Sequence, residues 1–211
     1  MGWIKGSQDK FYYKAKRAGY KSRSALKLLE ILRQKSPQVG DSVLDLGCSP
    51  GGWSQVLSDV VGPTGKVTGI DLMNPHLNLP NFEFVEANIV KSQPINGSFS
   101  SIFCDAAPKF IGVRDVDMAR SQEIWYACLN WCDKTLAPGG FLVMKVFQSN
   151  ELNEIRSQIN ERFSKVRFFK PKSSRRQSPE IYVICDGFKE RAKKIEGSSS
   201  PGSNLMPWPS K

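Results

Sequence analysis

Residues Val43–Gln55 read VLDLGCSPGGWSQ: a short apolar run that ends beside a carboxylate and turns at once through three glycines. An apolar stretch with no polar face and a turn directly after it predicts a strand buried on both sides. Gly47, Gly51 and Gly52 carry no Cβ, so the main chain there can turn and approach a ligand that side chains would push away. A second run, VTGIDLM, ends on Asp71, twenty residues past Gly51. That is the spacing at which a second parallel strand delivers an acid to the two hydroxyls of a ribose.

Strand, glycine turn and distal acid are shared with proteins that bind NAD, and a nicotinamide oxidoreductase is the competing reading. Two features favour an adenosyl ligand with a cationic end. Asp45 stands before the glycines, where its charge would oppose a pyrophosphate and suit an ammonium or sulfonium group. The turn Gly-Cys-Ser-Pro-Gly-Gly also lacks the regular dinucleotide spacing. S-adenosylmethionine fits both acids.

With 211 residues, 40% of them hydrophobic, the chain is long enough for one well-buried core. No run of eighteen apolar residues occurs, and the opening MGWIKGSQDK lacks the apolar centre of a signal peptide. A soluble, cytoplasmic monomer without membrane contact is expected. Five scattered cysteines argue against a disulfide framework. Cys128 and Cys132 have no second pair near them and His76 is the only histidine, so no metal site is expected and the thiols read as small core residues.

The net charge of +10 is unevenly spread. Residues 1–40 hold ten Lys or Arg against two acids, and residues 162–194 hold eleven against three, so each flank is +8, while residues 41–161 hold eight against fourteen. Brought onto one face, the flanks would form a phosphate-binding surface whose affinity falls with salt; kept apart, they are two solvated basic segments.

Apolar periodicity predicts helical structure over Tyr13–Leu32, broken near Gly19, and a short helix over Gly52–Val60. Among the lysines here, Phe11, Tyr12, Tyr13 and Tyr20 are available to stack on bases or to be buried. Strands are expected at Gly65–Asp71, Phe82–Ala87, Ser100–Asp105, Phe141–Val146, Val166–Phe169 and Ile181–Asp186. Longer helices are expected at Arg120–Leu136, stopped by Pro138-Gly139-Gly140, and at Glu151–Phe163. This alternation indicates an α/β fold with an open, mostly parallel sheet, the closing strand pair being antiparallel. Residues 1–40 read as a basic helical part of the same domain, 41–190 as its core, and 191–211 as a polar, disordered tail.

Ligands of such a sheet lie beyond the carboxyl ends of its strands. Asp105 ends a strand in SIFCDAAP, and Lys145 interrupts an apolar strand in FLVMKVFQ, a costly position for an ammonium unless it is paired or functional. Glu180 opens the last strand, and Lys27 lies in the basic N-terminal helix. Two lysines and two acids from four segments suit methyl transfer to a hydroxyl, in which a base takes the proton as the oxygen attacks. A lysine serves as that base only in its neutral form, which burial and a second ammonium favour. Lys145 is the candidate base.

The stretches DKFYYKAKRAGYKSRSALKLLEI, VLDLGCSPGGWSQVL, SIFCDAAP, LAPGGFLVMKVFQ and KPKSSRRQSPEIYVI span residues 9 to about 187. In this order they resemble the FtsJ-type ribose 2′-O-methyltransferases, and most of all those acting on a uridine of large-subunit ribosomal RNA. The resemblance implies a Rossmann-like class I S-adenosylmethionine-dependent methyltransferase fold with a seven-stranded sheet and helices on both faces. It places a catalytic tetrad on Lys27, Asp105, Lys145 and Glu180, the cofactor loop on Gly51, Gly52 and Trp53, and the ribose acid on Asp71. The full set of expected cofactor contacts is Asp45, Gly47, Ser49, Pro50, Gly51, Gly52, Trp53, Asp71, Leu72, Asn88, Ile89 and Asp105. Lys21, Arg23, Lys172, Arg175 and Arg176 are expected to bind RNA.

The chain departs from that pattern at Asn88, where the family often carries an aspartate against the adenine amino group. An amide still accepts there through its carbonyl oxygen, without the charge. Cys48-Ser49 replaces common alanines, and Ala106 a common methionine. A transfer RNA anticodon-loop enzyme and a non-catalytic RNA-binding assembly factor stand as alternatives.

Overall fold

A computed structural model describes residues 10–92, 95–149, 151–175 and 177–189. The expected disordered tail and Arg176 lie outside these, as do the side chains of Phe11 and Tyr12. Twelve elements follow in the order α1 (Lys10–Arg17), α2 (Ser24–Leu32), β1 (Ser42–Leu46), α3 (Gly52–Val61), β2 (Lys66–Asp71), β3 (Phe82–Glu86), β4 (Phe99–Cys104), α4 (Arg114–Thr135), β5 (Leu136–Phe147), α5 (Leu152–Arg162), β6 (Phe163–Phe169) and β7 (Glu180–Phe188).

The seven strands form one sheet in the order β3-β2-β1-β4-β5-β7-β6. Its first five strands are parallel, and β7 runs against both β5 and β6. The sheet is open and mostly parallel, with helices on both faces. From β1 the order runs one way through β2 and the other way through β4, so the crevice beyond β1 and β4 is where such a sheet binds its ligand.

Alternation along the strands divides the core into two layers. On one face Val43, Val67, Phe103, Val143, Tyr182 and Ile184 pack with Ala25, Leu28 and Ile31 of α2 and Trp53, Val56 and Leu57 of α3. On the other Leu44, Ile70, Ile102, Met144 and Val183 pack with Trp125, Leu129 and Trp131 of α4 and Ile155 and Ile159 of α5. Burying each side chain of Leu or Ile size stabilises the fold by about 1.5–3 kcal/mol. The central strands are covered on both sides and so read as unbroken apolar runs.

Two boundaries differ most from expectation. Helix α4 starts at Arg114, six residues early, because the Asp117 carboxylate accepts the N–H groups of Ile111 and Gly112 and ties the preceding loop to the first turn. Helix α4 ends at Thr135, one residue from the expected Leu136, but Pro138-Gly139-Gly140 is not a loop after it. It lies inside β5, whose register against β4 shifts between Phe99 and Ser101, with Gly139 at φ +78°. An extra stretch in one strand bends it locally, and glycine takes the left-handed residue such a bulge needs.

Candidate active site

The carboxyl ends of β1, β2, β4 and β5 and the start of β7 open on one edge of the sheet. There the segments after β1 and β4 touch: a Cβ on Gly47 would lie 2.7 Å from the Ala106 Cβ, and Gly47 has φ +77°. Here the missing Cβ makes room for the protein's own chain. Gly51 caps α3, Gly52 faces the Ser22 side chain, and the Ser49–Pro50 peptide is cis.

Two clefts flank this crossing. One, of about 400 Å³, is lined by Gly47, Asp71, Leu72, Asn88 and Ile89, with Ala106–Pro108 and Arg120 opposite. Its size lies in the ~300–1,000 Å³ range of small-molecule sites. The other, of about 240 Å³, is lined by Ser22, Arg23 and Ser24 of the α2 entrance and by Gly47, Ser49, Pro50, Gly52, Trp53 and Asp105. The Trp53 ring is turned into the core, and its N–H donates to the Ser24 carbonyl at 3.0 Å. Gln55 holds the turn before α2, accepting from the Lys21 N–H at 2.7 Å and donating to the Gly19 carbonyl at 3.2 Å. The helix that follows the glycine turn thus fixes the basic N-terminal segment beside it.

Asp71 ends β2, and its two carboxylate oxygens accept the N–H groups of Ser49 (2.9 Å) and Met73 (3.0 Å). Each oxygen keeps a lone pair for a hydroxyl. Asn88 departs from expectation. Its carbonyl oxygen accepts the N–H groups of Val90 and Lys91, so the amide NH₂ is the end left for a ligand, and the side chain presents a donor where an acceptor was expected.

Asp45 is fully buried, one oxygen accepting the Ser54 hydroxyl at 2.6 Å and the other without a partner. Burial raises its carboxyl to about 7; the Ser54 hydrogen bond opposes this, and the charges of Asp105 and Asp71 add to it. The carboxylate expected to face a cationic ligand is a closed post beneath the glycine turn.

The four tetrad residues meet as two ion pairs. Lys27 Nζ lies 2.6 Å from Glu180 Oε1, their side chains 8% and 13% exposed. Lys145 Nζ lies 3.2 Å from Asp105 Oδ1, at 10% and 16%, and also donates to the Asp105 backbone carbonyl. Between them stands Tyr182, which the sequence marks only as part of the last strand. Its hydroxyl donates to Asp105 Oδ1 at 2.7 Å, Lys27 Nζ lies 6.0 Å from its ring centre, and Lys145 is its partner across the β5–β7 ladder. Burial, with the Asp105 and Glu180 charges, raises the phenol well above its ordinary value, which keeps it a donor. The signal for it was its place two residues past Glu180, on the same side of the strand.

Among the expected RNA contacts, Arg23, half-buried, lines the second cleft, and Lys21, Lys172 and Arg175 are exposed. Glu30 of α2 joins the two basic flanks, accepting the N–H groups of Lys172 at 2.7 Å and Ser173 at 2.9 Å. The charged segments therefore share one face. Among the described residues no group of three or more His, Cys, Asp or Glu side chains is placed to hold a metal, and no helix is long and apolar enough to cross a membrane.

Residues 20–188 match the sequence model of the FtsJ-like methyltransferases. The chain belongs to that family. It is 37% identical over 194 residues to the ribosomal RNA large subunit methyltransferase E of Archaeoglobus fulgidus, covering 89% of this chain and all of that one. The protein of the same name from Methanospirillum hungatei is 36% identical over 209 residues, covering 94% and 99%. A Plasmodium falciparum structure described as a ribosomal RNA methyltransferase superposes with a TM-score of 0.70 at 27% identity, over 82% of this chain and all of that one. The chain is therefore a methyltransferase, and the tetrad expected from the family resemblance falls on residues that the fold brings together.

Proposed function

We propose that the protein transfers a methyl group from S-adenosyl-L-methionine to the ribose 2′-hydroxyl of a uridine in large-subunit ribosomal RNA. The observation that carries this reading is the Lys145 amine, held on Asp105, which lines the smaller cleft beside Gly47, the residue the two clefts share. The donor fits the larger cleft. Asp71 offers two oxygens to a ribose, Asn88 an amide to the base, and Leu72 and Ile89 an apolar wall. When bound, the donor supplies an electrophilic methyl on a sulfonium. Lys145 Nζ is the group that takes the proton of the attacking hydroxyl. Asp105 orients that amine, and the Tyr182 hydroxyl holds Asp105 in place. Lys27 keeps Glu180 ionised beside them.

Lys21, Arg23, Lys172, Arg175 and Arg176 then hold the phosphates around the acceptor. Relatives named for the large subunit, matched over nearly their whole length, support the RNA class. The same reading makes the protein a cytoplasmic monomer that works on the ribosomal particle. Reverse transcription at low nucleotide concentration, on RNA from cells with and without the gene, tests it. A stop at one large-subunit uridine that vanishes without the gene is the expected result. An unchanged ribosomal profile together with a lost stop in a transfer RNA would refute the substrate.

A further inference from the structure

The loop between Asp105 and α4 and the first turn of that helix carry a run of exposed apolar side chains: Phe110, Ile111 and Val113 at 53%, 54% and 53%, then Val116 at 39%. A single exposed apolar residue is ordinary, but four within seven positions next to a reacting centre are not. The loop does not hang loose. Asp117, buried, accepts the N–H groups of Ile111 and Gly112 at 2.8 and 2.9 Å, and Ser121 donates to the Asp117 carbonyl at 2.7 Å. Phe110 itself leans edge-to-face on Phe147, 5.4 Å between ring centres and 76° between planes. Phe147 is buried, lies against Trp125 and stands two residues past Lys145, about 7 Å along a strand. The ring is anchored on one side and open on the other.

Its position relative to the basic face is informative. Arg23 belongs to the layer of α2 and α3 on one face of the sheet, whereas Phe147 and Trp125 belong to the layer of α4 on the other. Phe110 and Arg23 thus flank Asp105 from opposite faces. A nucleotide has a charged side and a flat apolar side, and single-stranded sites pair a basic track with an aromatic ring on which a base lies. We propose that Phe110, with Ile111 beside it and Lys109 next in the chain, is the platform on which an unpaired base at the acceptor nucleotide stacks. The protein then grips phosphate on one lip of the site and a base on the other. This inference rests on the ribose methylation proposed above.

The test uses the full chain and large ribosomal subunits from cells lacking the gene. Phe110→Ala is expected to raise KM for the subunits about tenfold, within the range of one lost base stack. Its kcat should stay within about twofold of wild type, and its affinity for S-adenosyl-L-methionine, by calorimetry, should not change. Phe110→Leu, which keeps apolar bulk and folding but no ring, should recover little, and Phe110→Trp most of the loss. In Phe110→Trp the added emission, after subtraction of the wild-type titration, should fall as an RNA with the target unpaired binds, and should not fall for the same stretch locked in a duplex. Equal KM in wild type and Phe110→Ala overturns the platform. So does RNA binding, followed by anisotropy, without any change in that emission, because the ring then touches something other than a base. If the wild type methylates no ribosomal RNA at all, the function proposed above fails instead, and the two failures are told apart by that control.

Discussion

Lys27 and Glu180 meet at 2.6 Å, whereas Lys145 and Asp105 stand 3.2 Å apart and share the Asp105 oxygen with the Tyr182 hydroxyl. Both pairs are largely shut from water, yet their surroundings differ. Desolvation pushes the Glu180 carboxyl up, but the Lys27 hydrogen bond and charge, with Lys145 further off, outweigh it and leave Glu180 below its ordinary value. That pair joins α2 to the start of β7 as an ionic clamp. At Asp105 one carboxylate serves two donors and its own backbone carbonyl serves one of them, so the Lys145 amine has several partners at the junction of the clefts. Four residues that form one motif in sequence thus divide into a clamp and the pair proposed to take the proton.

The strongest way to break that division is Lys145→Ala. A positioned base contributes about 10²–10⁴-fold, so methyl transfer measured with a labelled donor should fall by that much while RNA affinity by filter binding stays within about twofold. Equal activity in the variant would remove the assigned base. Glu180→Gln should act mainly on the clamp. It leaves the Lys27 ammonium buried without its counter-charge, and the urea midpoint at pH 7 should drop by an amount equivalent to about 3 kcal/mol. Because the folded Glu180 value lies below 4.5, its contribution is complete above that pH and is lost as pH falls through the lower folded value. The gap between wild type and variant should therefore close as the pH falls below 4.5. A gap that widens there would contradict the sign.

These roles were only partly legible in the chain. β1, Asp71 and the strand ending at Asp105 were readable because strands buried on both faces leave continuous apolar runs with acids at their ends. The start of α4 was not, since RDVDMAR shows no apolar side and the cap comes from Asp117 reaching back to the loop. Pro138-Gly139-Gly140 carries the signature of a helix stop and instead bends a strand, a choice made by pairing with β4. The pairing of Asp45 with Ser54, two residues past Gly52, likewise leaves no mark in the sequence. The joining of the basic flanks rests on contacts such as Glu30 accepting the N–H groups of Lys172 and Ser173, more than 140 residues away. Long-range pairs of this kind leave no periodicity to read.

A smaller effect sharpens the proton site. Tyr182→Phe removes one donor from Asp105 and keeps the ring that packs on Trp53 at 5.7 Å. Losing a hydrogen bond to a charged group costs about 1.5–3 kcal/mol, and part of it should appear in the reaction: kcat lower by about five- to tenfold, with KM for RNA unchanged. A fall in melting temperature with kcat intact would make Tyr182 a packing residue and move the whole orientation of Asp105 onto Lys145.

The smallest effect concerns neither pair. Arg23 lies in the second cleft and Arg175 in the loop that follows the segment bound by Glu30, so both belong to the basic face and not to the proton site. Each phosphate contact releases counterions, and its loss should weaken binding at all sequences alike. Arg23→Ala and Arg175→Ala should each lower RNA affinity several-fold at low salt and flatten the slope of log K against log salt by about one. Single-turnover rates at saturating RNA should stay near wild type, because the residues that take the proton are untouched. If either arginine instead lowered that rate as Lys145→Ala does, with the salt slope unmoved, it would belong with Asp105 at the acceptor hydroxyl, and the separation between gripping the RNA and reacting with it would have to be redrawn.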